Sequence, residues 1–119
     1  MTGNNLDQTM NQITVEELAK LLSSSESSIQ LVDVREPEEV KTASIEGFMN
    51  LPLSQFSEWG NDIQTRLEPD KETFVLCHHG VRSAQMCQWL TSQGFSNVIN
   101  ITGGIDAYSM LVDPSVPQY

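Results

Sequence analysis

Positive charge is scarce in this chain. Six lysines and arginines stand against sixteen aspartates and glutamates, a formal net charge of −10. That balance disfavours nucleic acid and anionic membranes as partners, because both repel it. An anionic ligand would have to be held by a local field. Cysteine is scarce as well. Cys77 and Cys87 make no disulfide framework, and with most of a helix expected between them they are badly placed to bridge each other. This points to a reducing compartment, read here as cytoplasmic. Long apolar runs are missing, and nothing approaches the ~20 residues of a membrane span. Residues 1–11 have neither a basic region nor an apolar stretch, so they do not read as a signal peptide and are expected to be disordered. With no repeat and no linker, residues 12–119 are expected to form one domain, by default a monomer.

What is present is an alternation of helix and strand patterns. Thr14 with Glu17 is a capping-box signature ahead of an apolar face made by Val15, Leu18 and Leu22, and Ser23 to Ser28 ends that helix as a loop. Ile29 to Val34 reads as a strand that becomes apolar on both faces, as a strand covered by helices on two sides does. Pro37 suits the first turn of a short helix, with Glu36, Glu38 and Glu39 as its solvated start. Phe48 to Leu53 reads as a short strand. A helical stretch follows from Ser54 to Leu67, weakened at Gly60-Asn61. Next come a strand at Thr73–Cys77, a helix at 82–93 stopped by Gly94, a strand at 97–101, a short helix at 105–111 and an extended tail at 112–117. The alternation predicts an α/β fold, a central parallel sheet of about five strands with helices on both faces. Ligands in such folds sit at the carboxyl ends of the strands.

One such end carries Cys77-His78-His79-Gly80-Val81-Arg82-Ser83. The cysteine closes a strand, and the loop after it runs into a helix N-terminus. Backbone N–H groups there converge, and the helix adds about half a positive charge. Such surroundings favour the thiolate, the reactive form of cysteine. Cys77 is therefore the candidate nucleophile, and the amides of residues 78–83 with the Arg82 guanidinium are the candidate anion cradle. Gly80 permits close approach or positive φ. Ser83 can cap the helix or donate to sulfur. His78 and His79 add donors around the thiolate, or are simply exposed. No cluster at ligand spacing accompanies them, so no metal is expected. Cys87 shares a helix face with Ala84 and Leu90, which favours core packing over a resolving role. Met86 and Trp89 fit either core or groove.

Five segments in order resemble the rhodanese family of sulfurtransferases. Ile13 to Leu18 is similar to the family's opening, and Leu31-Val32-Asp33-Val34-Arg35-Glu36 to its Asp-x-Arg strand end. Ile45 to Leu53 resembles the stretch usually written His-Ile-Pro-Gly-Ala-x-Asn-Ile-Pro. Cys77 to Ser83 matches Cys-x-x-Gly-x-Arg-Ser/Ala, and Gly103-Gly104-Ile105-Asp106-Ala107-Tyr108 matches Gly-Gly-x-x-Ala-Trp. Ser44, Glu46 and Tyr108 depart from the usual histidine, proline and tryptophan.

The resemblance implies a rhodanese-like fold and a persulfide cycle. Cys77 would take a sulfane sulfur from a small anionic donor such as thiosulfate and pass it to cyanide or to a thiol, protein thiols included. His78, His79, Gly80, Val81, Arg82 and Ser83 would bind the donor, Asp33 and Arg35 would brace the neighbouring strand end, and no cofactor would be needed. Cysteine-dependent phosphatases place five residues between cysteine and arginine, whereas four separate Cys77 from Arg82. A phosphatase or arsenate reductase is the alternative chemistry, and a binding or persulfide-carrier module the alternative role.

Overall fold

The computed structural model describes residues 11–24 and 28–119. The expected disordered segment lies outside them except for Asn11, and so does the middle of the serine-rich loop. Asn11 itself is in a strand. Among the described residues, five strands form one parallel sheet: β1 (Asn11–Ile13), β2 (Ile29–Asp33), β3 (Met49–Asn50), β4 (Glu72–Leu76) and β5 (Val98–Ile101), in the order β1-β5-β4-β2-β3. The helices are α1 (Val15–Leu22), α2 (Pro37–Thr42), α3 (Phe56–Trp59), α4 (Ile63–Arg66), α5 (Val81–Ser92) and α6 (Gly104–Leu111). Among the described residues, no helix is long and apolar enough to cross a membrane.

β1 was not expected from the sequence. It is three residues long, mostly exposed, and exists because Asn11, Gln12 and Ile13 pair with Ile99, Asn100 and Ile101 of β5. Only Ile13 contributes to the core, so no alternation marks it. The expected Phe48–Leu53 strand shrinks to Met49–Asn50 at the sheet edge; beyond it the Leu51 and Leu53 amides still donate to Asp33 O and Val34 O, on either side of Pro52. The expected broken helix is broken. A 3₁₀ turn at Gly60–Asp62 separates α3 from α4.

Local chemistry explains the sharper boundaries. Thr14 Oγ1 accepts from the Glu17 amide (3.1 Å) while Glu17 Oε1 accepts from the Thr14 amide (2.9 Å), the reciprocal capping box. At the end of α5, Gly94 N–H donates to Thr91 O and Phe95 N–H to Leu90 O. Those are the two bonds of a Schellman stop, and buried Phe95 and Leu90 meet behind it.

Period-two alternation in the central strand divides the core into two layers. Phe74 and Leu76 face α1 and α6 together with Ile99, Ile101 and Ile105. Val75 and Cys77 face α5 with Met86, Cys87 and Leu90. Cys87 is thus a packing residue, and burial pushes its thiol up to about 12. Trp89 is partly buried beside Trp59 and Phe56, each pair in edge-to-face contact. The tail after α6 is not simply extended. Ser109 Oγ donates to Val116 O (2.5 Å), Val116 is buried, and the chain returns to the carboxyl end of the sheet.

Candidate active site

β4 lies between β5 and β2 at the middle of the sheet, and Cys77 is the first residue beyond it. Its Sγ is buried. Gly80 N–H donates to it at 3.0 Å, and Ser83 Oγ lies 3.3 Å away. Gly80 is the N-cap of α5 with φ of 106°, a left-handed conformation that L side chains rarely adopt. The opening amides of α5 follow directly, and an α-helix supplies those groups with no carbonyl of its own.

Ser83 is therefore not the helix cap. It sits on the third residue of α5, where its hydroxyl donates to Asn100 Oδ1 at 2.5 Å. Asn100 in turn donates from Nδ2 to Gly80 O at 3.2 Å. A hydroxyl carries one proton. With that proton on Asn100, Ser83 accepts from a neutral Cys77 thiol. It can serve a thiolate only by turning the proton away from Asn100. Asn100 was missed as a site residue. Its signal was a lone amide in the buried strand Val98–Ile101.

Arg82 was expected to stand ready for an oxyanion. Its guanidinium instead grips Glu39 in a two-pronged pair, with Nη1 to Oε2 at 2.8 Å and Nη2 to Oε1 at 2.9 Å. Two of its five N–H donors are thereby used. Glu39, read as part of a solvated helix start, is mostly covered. Arg82 is the main cause that holds its carboxyl at about 2, below the usual carboxylate range. The same pairing raises the Arg82 pKa.

Asp33 and Arg35 lie behind this pair, both buried. Arg35 Nη2 meets Asp33 Oδ2 at 2.7 Å and Ala43 O at 2.8 Å, and Nε meets Asp33 Oδ1 at 3.0 Å. Arg35 Nη1 donates to the Tyr119 hydroxyl at 2.7 Å, and that hydroxyl donates to Glu39 Oε1 at 2.9 Å. Tyr119, which the sequence did not single out, thus joins the strand-end brace to the Glu39–Arg82 pair. Its ring stacks on His78 with centroids 3.9 Å apart and planes 6° from parallel. Burial, then the charge of neighbouring His79, lowers the His78 pKa. His79 stacks on the other side of His78 and is largely exposed, as is Val81.

The last helix docks end-on against the loop. The amides of Ile105 and Asp106 donate to the carbonyls of Cys77 (2.9 Å) and His78 (3.1 Å). A Cβ on Gly104 would stand inside contact distance of both carbonyls. Gly103-Gly104 is thus what lets α6 seat itself on the Cys77 loop. The seating brings Asp106 beside His78 and His79, a juxtaposition that separate segments of sequence did not reveal.

The chain is 59% identical over 90 residues to "Rhodanese-like/PpiC domain-containing protein 12, chloroplastic" of Arabidopsis thaliana; the match covers 76% of this chain but only 30% of that protein. A cytoplasmic location therefore does not follow from kinship. It is 32% identical over 100 residues to "Sulfurtransferase" of Allochromatium vinosum, covering 84% and 89% of the two chains. Its fold superposes on a rhodanese-like domain protein from Staphylococcus aureus with a TM-score of 0.73 at 29% identity, over 83% of this chain and 91% of that one. The family model for the rhodanese-like domain matches residues 14–111, which run from the Thr14 cap to the end of α6 and enclose the whole Cys77 loop, so the chain belongs to the rhodanese-like domain family.

Proposed function

We propose that this chain is a rhodanese-type sulfurtransferase that carries sulfur as a persulfide on Cys77. The observation that carries the reading is the placement of Sγ. It lies at the carboxyl end of the central strand, 3.0 Å from the Gly80 amide and at the mouth of α5. The "Sulfurtransferase" relative of nearly equal length supports it.

In the first half-reaction the Cys77 thiolate attacks the outer sulfur of a donor such as thiosulfate. A new S–S bond forms, the donor's own S–S bond breaks, and sulfite leaves with the electron pair. The Cys77 persulfide, a terminal anion, lies against the loop amides and the positive end of α5. In the second half-reaction a thiolate or cyanide attacks that outer sulfur, and Cys77 departs as thiolate. Arg82 offers the donors that Glu39 leaves free to the sulfonate oxygens. Asp33, Arg35 and Tyr119 act on Arg82 by fixing Glu39. A protein thiol is the favoured acceptor, because the half-exposed loop margin admits a flexible cysteine-bearing segment.

The four-residue spacing between Cys77 and Arg82 sets this apart from phosphoryl chemistry. A loop one residue shorter closes round a single sulfur more readily than round a tetrahedral phosphate. The test is steady-state thiocyanate formation from thiosulfate and cyanide, run beside hydrolysis of an aryl phosphate. Cyanide-dependent turnover that vanishes in Cys77→Ser supports the reading. Cys77-dependent phosphate release without thiocyanate overturns it.

A further inference from the structure

The catalytic loop carries a second constellation that sulfur transfer does not use. One ring nitrogen each from His78 and His79 and one carboxylate oxygen of Asp106 lie within 4.8 Å of one another. His79 Nε2 is 3.8 Å from Asp106 Oδ2. The three residues come from two elements, the Cys77 loop and the first turn of α6. The bonds between them are those that seat α6, including Asp106 N–H to His78 O. Two features hold the ligands in place. Tyr119 fixes the plane of His78 by stacking, and Gln118 Nε2 lies 3.4 Å from Asp106 Oδ1.

A second observation points to a ligand. His78 Nε2 is shielded from water and has no hydrogen-bond partner, the one buried side-chain nitrogen or oxygen among the described residues in that condition. Leaving such an atom unanswered costs about 1–3 kcal/mol, so an occupant that accepts its lone pair is favoured. Two imidazoles and a carboxylate suit zinc and its neighbours in the first transition row better than magnesium or calcium, which prefer all-oxygen shells. Three protein ligands also leave a fourth, open position.

We propose that His78, His79 and Asp106 bind a divalent transition-metal ion of the zinc class at the lip of the catalytic loop. Zinc–nitrogen and zinc–oxygen bonds of about 2.0–2.2 Å require ligand atoms roughly 3.4 Å apart in a tetrahedron. The His79 side chain, largely exposed and stacked on His78, closes that gap by turning outward from its stack. The chain as a whole favours a cation, with a net charge of −10. An ion here also adds positive charge that is not already paired, whereas the guanidinium of Arg82 is shared with Glu39. The site does not depend on the sulfurtransferase reading, since none of its ligands is Cys77.

The experiment is a calorimetric titration with Zn²⁺ of the wild type, Cys77→Ser, His79→Ala and Asp106→Asn. The Cys77→Ser variant removes the thiolate that could capture zinc on its own. The site predicts one equivalent bound with the same affinity, within twofold, in wild type and Cys77→Ser. It predicts at least about tenfold weaker binding in both His79→Ala and Asp106→Asn, since loss of even an outer partner of a metal costs 10–100-fold. His79 is exposed, so its variant tests the ligand and not the fold; circular dichroism checks Asp106→Asn. A Co²⁺ spectrum should lack the thiolate charge-transfer band. Binding that is lost in Cys77→Ser, or that survives either ligand substitution, or no saturable binding at all, overturns the proposal.

Discussion

Glu39→Gln is the perturbation whose size the structure defines best. Glu39 holds Arg82 with two hydrogen bonds, and its pKa falls from 4.5 to about 2 with that contact as the leading cause. At about 1.4 kcal/mol per tenfold change, the full fall bounds the contribution at about 3 kcal/mol. The Arg82 side chain is 35% exposed, so water screens the pair, and about 1–2 kcal/mol is the expected share. The sign follows from the depressed carboxylate. Its stabilisation is complete well above pH 4.5 and is lost as the pH falls toward 2. Urea unfolding at pH 7 should therefore show the Glu39→Gln midpoint roughly 0.5–1 M below wild type, for a slope near 2 kcal/mol per M. The gap should narrow through pH 4 and close near pH 2. A stability difference that stays constant from pH 7 to pH 2 would refute the argument, because it would mean that the carboxylate charge contributes nothing.

Three further substitutions probe other parts of the site. Asp33→Ala leaves the Arg35 guanidinium buried without its anion and should cost about 3–5 kcal/mol in urea unfolding, far more than an exposed ion pair. Gly104→Ala puts a Cβ against the Cys77 and His78 carbonyls at a φ of 62°; it should cost more than about 2 kcal/mol and depress thiocyanate formation as well, by displacing the loop. Cys87→Ala should leave the sulfur-transfer rate within twofold of wild type and cost only about 1 kcal/mol, because a thiol raised to about 12 is a core side chain and no nucleophile at neutral pH.

What the sequence disclosed was the local part of the design. The Thr14/Glu17 cap, the apolar strands read at 29–34 and 73–77, and the helix stop at Gly94 are all set by residues within a few positions of each other. The Cys77–Ser83 loop was legible for the same reason. Its chemistry depends on a strand end and a helix start that adjoin it in the chain. What escaped were contacts made by closing the sheet. Glu39 reaches Arg82 across 43 residues, Tyr119 reaches Arg35 across 84, and Asn100 slides under Ser83 only because β5 pairs with β4. Asp106 joins two histidines because a glycine pair lets a helix end dock on their loop. Each partner looked like a solvated acid, a tail residue or a core filler until its neighbour arrived from elsewhere in the chain. β1 escaped for a related reason, since its existence depends on its neighbour β5 and not on its own side chains.

The claim on which the account turns is that Cys77 carries the sulfur. Intact mass of the wild type and Cys77→Ser after brief incubation with thiosulfate tests it most directly. The account predicts a gain of about 32 Da, one sulfur atom, in the wild type alone, removed by cyanide or dithiothreitol. No gain with thiosulfate, mercaptopyruvate or a persulfide donor, or an equal gain in Cys77→Ser, would contradict it.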